Sequence, residues 1–103
     1  MKIIKILSEK IEEEIKDAKS YADMSIKYKE EYPELSRTLY NLSLQEMEHM
    51  NLLHNEVTTI IKRYRETNGE PPVEMMAVYD YLHNKQIENS LEVKTLQNMY
   101  KES

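Results

Sequence analysis

The residues that break helices are confined to two places in this chain. Its one glycine and three prolines fall at Pro33 and in the run Gly69-Glu70-Pro71-Pro72. The stretch from Pro33 to Thr67 therefore has no internal breaker, and neither do the stretches before and after it. Pro33 suits the opening turn of a helix, where no N–H is needed, and it pushes Tyr32 out of helical backbone. Glu34 complements the positive end of the helix that follows. Asn68-Gly69 predicts a left-handed cap, and Pro71-Pro72 forbids continuation. Lys62, Arg63 and Arg65 sit in the last turns, favourable against the negative end of the dipole. The reading is all-α: three long helices over residues 3–30, 33–67 and 73–101, in a single domain spanning 1–103.

Apolar spacing tells which faces are covered. In the first helix Ile4, Leu7, Ile11, Ala18, Tyr21, Ser25 and Tyr28 follow steps of three and four, with Glu14 in the middle of the row. In the second, Leu39, Leu42, Leu53, Val57 and Ile60 make a similar row, with Glu46 and His49 inside it. Such spacing is the buried stripe of an amphipathic helix. A carboxylate on that stripe is costly without a partner, and a bound cation, an ion pair or a hydrogen-bond network would each supply one. If the two helices fold back as an antiparallel hairpin, residues equally far from the turn share a level. With a turn near position 31, Glu14 lies about seventeen residues before it, and Glu46 and His49 about fifteen to eighteen after it, by the constant helical rise. The three polar interruptions are thus expected at one height.

The third helix is less regular. Met75, Tyr79, Leu82, Val93, Leu96 and Tyr100 form one stripe, broken by Gln86 and Asn89. Asp80 and His83 form an acid-x-x-His pair on an adjacent stripe with Met76 and Ile87. That pair lacks a matching Glu, so it is expected to lie apart from any site formed by Glu14, Glu46 and His49, with the helix covering the hairpin or contacting a neighbouring subunit. His54 lies off the main stripe and is expected to be exposed.

The absence of cysteine excludes disulfides, thiol nucleophiles and zinc–thiolate sites, and makes cytoplasm the expected compartment. No apolar run is long enough to span a membrane, and the N-terminal apolar stretch is too short for a signal sequence. The net charge of -5 argues against nucleic acid as a partner and is compatible with handling cations. With no Trp or Phe, the aromatic mass rests on eight Tyr. So few large apolar groups imply that part of the seam closes against another chain.

Two carboxylates and one imidazole are half a shell. A dinuclear carboxylate site in a four-helix bundle takes a Glu from each of two helices and a Glu-x-x-His from each of two more. A twofold homodimer of this hairpin supplies that set, and twofold symmetry is the commonest in oligomers. The carboxylate-rich donors favour iron or manganese.

Glu14, Tyr21 one heptad later, and Glu46-Met47-Glu48-His49 resemble the first half of ferritin-like and rubrerythrin-like proteins. The likeness spans residues 8–62; the second half of the family pattern is absent. In plan the chain resembles half-ferritins such as the encapsulated ferritins, which complete a ferroxidase centre across a subunit interface. Its third helix, Tyr81-Leu82-His83 through Val93-Lys94, is similar to that of small ferritin-like proteins of bacterial genomes and prophages. The resemblance implies a dinuclear iron site, with manganese as the alternative metal, that oxidises Fe(II) with oxygen or peroxide. It implies Glu14 as a terminal carboxylate, Glu46 as the bridge and His49 as the nitrogen ligand. Tyr21 lies one layer away, to hydrogen-bond a ligand, to pass an electron or simply to fill the seam. Two other readings stand beside this one. The chain is a helical scaffold or adaptor whose buried Glu/His layer fixes dimer register, or a ferritin-like relic that binds metal without turnover.

Overall fold

Tyr32 adopts φ -133°, ψ 72°, and the chain enters a helix at Pro33. The computed structural model describes residues 1–103 and contains three helices and no strand: α1 (Lys2–Lys27), α2 (Pro33–Asn68) and α3 (Val73–Glu102). α1 ends three residues before the expected boundary of 30. Residues 28–31 form a turn instead, closed by the Tyr32 N–H donating to the Tyr28 carbonyl at 2.8 Å. The chain must reverse before Pro33, and this last stretch of helix is used for the reversal. The other end of α2 also differs from expectation. Gly69 has φ 78° and ψ -162°, outside the left-handed helical region, while its N–H bonds to the Arg65 carbonyl at 3.1 Å. That backbone region is essentially confined to glycine.

Small residues let α1 and α2 approach closely. Ala18, Ala22, Ser25, Ser36 and Ser43 have no exposed surface. The Ser43 hydroxyl donates to the Ala18 carbonyl at 2.7 Å, and Ser36 donates to the carbonyl of Ser25. These bonds satisfy hydroxyls that would otherwise be costly to bury. Positions fall along α1 as they rise along α2, so α2 runs back beside α1. Ile4, Ile11, Ile15, Val57, Ile61 and Val93 fill the apolar centre.

The covered stripe is rotated from the one that spacing alone predicts. Ile4, Ile11, Ala18 and Ser25 are buried as expected, but Leu7, Glu14, Tyr21 and Tyr28 are only half-buried. Ser8, Ile15 and Ala22 take the enclosed positions in their place. On α2 Leu39 and Val57 are buried, while Leu42, Leu53 and Ile60 are half-buried and His49 is exposed. The rotation has a physical cause: α1 packs against two helices at once and turns its centre line toward both.

α3 packs mainly on α1 and touches α2 only slightly. Of its expected stripe only Val93 is fully buried; Met75, Tyr79, Leu82, Leu96 and Tyr100 are half-buried. Gln86, expected to interrupt the stripe, is buried, and so is Gln97. Gln86 donates to the Ser8 carbonyl at 3.3 Å and Gln97 to the Ser43 hydroxyl at 2.9 Å. α1 and α2 offer α3 oxygen acceptors here, which amides fill better than methyl groups do. At its far end α3 is held by Lys29, whose Nζ donates to the Tyr100 and Ser103 carbonyls at 2.6 and 2.7 Å. A lysine there satisfies carbonyls that a helix leaves open and opposes its dipole. No helix is long and apolar enough to cross a membrane.

Candidate metal centre

Glu14 projects from α1, and Glu46 and His49 from successive turns of α2. One ligand atom from each lies within 4.8 Å of the other two. The Nδ1 of His49 is 3.5 Å from Glu14 Oε2 and 3.9 Å from Glu46 Oε1. The carboxyl side chains are 24% and 19% exposed and the His49 side chain 55%. Two acids are therefore drawn inward beneath an imidazole that reaches solvent. Asp17, Glu13 and Glu12 remain exposed on α1, and Glu13 is engaged with Lys10 at 3.3 Å.

Glu46 is not at ease as a bare anion. The Glu46 carboxyl is raised from 4.5 to about 7: a hydrogen bond with Glu14 acts most, followed by burial and then the Glu14 charge. His49 pulls it down, and Asp17 pushes it up. Two ionised carboxylates are both acceptors, so a hydrogen bond between them requires a proton on one. Glu14 Oε2 is buried and has no hydrogen-bond partner, even with the His49 nitrogen in ion-pair range. An unpaired acceptor beside a proton-sharing acid and an open imidazole is a donor set that suits a divalent cation. Two oxygens and one nitrogen make a hard donor set that contains no thiolate.

The site faces away from α3. Glu12, Lys16 and Lys19 line a cleft beside α3; at about 100° per residue they lie across α1 from Glu14. Around the site the surface is apolar and half-covered, with Leu7 and Tyr21 on α1 and Leu42, Leu53 and Ile60 on α2. Tyr21 stands two turns beyond Glu14 on this face, outside the cluster of three.

Asp80 and His83 do not converge. Asp80 is exposed, while His83 turns inward and stacks on His54, ring centroids 4.8 Å apart and planes at 8°. His54 is therefore half-buried, contrary to its expected exposure. A signal for this was present: Met47, Met50, His54, Val57 and Ile61 follow steps of three and four, a second stripe beside the first. Burial, and then the charge of His83, hold the His54 imidazole below its ordinary range.

Comparisons with protein-family models, with curated proteins and with solved structures found no match.

Proposed function

We propose that this chain is a ferritin-like half-site protein whose α1–α2 hairpin pairs with a second copy, completing a dinuclear iron centre between them. The observation that carries this reading is the convergence of Glu14, Glu46 and His49 around the unpartnered Glu14 Oε2 on a half-covered apolar face. Glu14 would hold one ion, Glu46 would span two, and His49 would offer a ring nitrogen. A copy related by a twofold axis would add the same three side chains and cover Leu7, Tyr21, Leu42, Leu53 and Ile60. Asp17 adds negative charge beside the opening. Bound iron would supply electrons to oxygen or peroxide, the ferroxidase-type chemistry that the resemblance implies; manganese is the alternative metal. Cytoplasm is the compartment that fits this reading. A cation must displace the proton held on Glu46, so affinity should rise with pH.

The competing reading is a dimer scaffold. The raised Glu46 carboxyl favours it, since a proton shared with Glu14 would quiet the acid pair with no metal at all. The two readings separate in one experiment. Anaerobic Fe(II) is titrated into the protein, with heat, melting temperature and sedimentation followed together. The metal reading expects one ion per chain, a dimer, and a raised melting temperature; at about 100 times the dissociation constant the stabilisation is about 2.7 kcal/mol. Glu46→Leu should abolish binding yet keep the fold, because an aliphatic seam needs no cation. If no heat is released and the melting curve stays in place, the scaffold reading replaces it.

A further inference from the structure

Between α2 and α3, three rings lie nearly parallel. Tyr79 and His83 of α3 have centroids 5.7 Å apart at 7°, and His83 stacks on His54 of α2. His54 and His83 line a groove of about 520 Å³ between α2 and α3, walled by Met47, Met50, Ile87 and Leu91. The two helices meet little. Their other junctions lie toward the C-terminal end of α3, where Gln97 bonds Ser43 and Tyr100 stacks on Tyr40 at 4.4 Å. The histidine stack thus joins the N-terminal half of α3 to α2.

This junction accommodates neutral rings and resists charged ones. His83 Nδ1 is buried with no hydrogen-bond partner. A proton placed there becomes a buried donor with nothing to receive it, which is costly. A proton on each ring also sets two cations face to face. The charge of His83 acts on His54; Asp80, one turn before His83, acts on Tyr79 but is exposed and forms no ion pair with either imidazole. Lys94 of α3 also lines the groove, adding a further positive charge. On α1, Lys5, Glu9 and Glu12 share a separate cleft with Tyr79.

We infer that the His54–His83 stack is an acid-sensitive latch: protonating the two imidazoles loosens the N-terminal half of α3 from α2 and opens the groove between them. The depressed affinity of His54 for a proton agrees in sign. A base whose proton affinity is lowered by folding contributes stability above its ordinary value of 6.5, and that stability is lost as pH falls below it. The latch is independent of the metal reading, since neither His54 nor His83 belongs to the cluster of Glu14, Glu46 and His49.

Segment-resolved hydrogen exchange on the full chain tests it. Between about pH 7.5 and about pH 5, corrected for intrinsic rates, residues 73–90 should lose about tenfold protection while residues 91–102 keep theirs. Titration of Glu46 and His49 would instead appear in the peptides of α1 and the middle of α2. His83→Phe keeps a stacked ring without the charge, and should hold residues 73–90 protected at both pH values. Unchanged protection in the acidified wild type, or equal loss in His83→Phe, overturns the latch. Ring titration of the wild type by NMR stands without any variant. A His54 titration displaced below its ordinary 6.5 is expected; a His54 ring that titrates at its ordinary value overturns the proposal.

Discussion

His49 presents its Nδ1 to Glu14 Oε2 at 3.5 Å across the α1–α2 interface, while its own helix carries Glu46 one turn earlier. The imidazole bridges the gap between two acids without relieving either fully. Glu14 keeps an unpartnered oxygen, and the Glu46 carboxyl is raised to about 7. The consequences are measurable in the metal-free protein.

Stability should depend on pH through Glu46 in an unusual sense. Its carboxyl titrates near 7 when folded and near 4.5 when unfolded. Between those values the folded chain holds a proton that the unfolded chain has released, so stability falls as pH rises. The contribution is complete below 4.5 and gone above about 7. Denaturant midpoints in the presence of a chelator should show it, and Glu46→Gln, which stays neutral, should remove it. The difference between wild type and variant isolates Glu46 from His54, whose effect runs the opposite way. A wild-type curve parallel to that of Glu46→Gln throughout the window would contradict the assignment.

The half-buried face around Glu14 should carry the dimer. Leu42 lies on that face and outside the enclosed apolar core. Leu42→Asp should therefore yield a folded monomer with unchanged helix content, read by sedimentation and circular dichroism. Ile11→Ala, within the core at 2% exposure, should instead cost about 2–5 kcal/mol in stability. A dimer that persists in Leu42→Asp would show that its contacts lie elsewhere.

Gly69 should resist substitution for backbone reasons alone. A Cβ there meets nothing within 4 Å, yet the φ of 78° with ψ -162° disfavours any side chain. Gly69→Ala is expected to cost about 1–3 kcal/mol, measured as a lowered denaturation midpoint with the slope unchanged. A cost below a few tenths would mean that the α2–α3 connection relaxes into another path.

What could be read from the chain follows from local rules. Pro33, Gly69, Pro71 and Pro72 divide it into three helices, because proline and glycine act on the backbone where they stand. The shared level of Glu14, Glu46 and His49 follows from constant rise about one turn, given that the second helix runs back along the first. The rotation of each helix about its own axis does not follow so simply. α1 buries Ile15 and Ala22 in preference to Leu7 and Tyr21 because it meets α2 and α3 together, and spacing on one helix carries no record of how many neighbours it has. Gln86 and Gln97 look like breaks in an apolar stripe until the Ser8 carbonyl and Ser43 hydroxyl stand opposite them. His54 is a surface residue by the dominant stripe, and it becomes a buried partner only where α3 brings His83 over it. Local sequence determined the helices and the level of the acid pair; tertiary packing alone decided which faces closed and which two histidines met, because those depend on contacts between residues far apart in the chain.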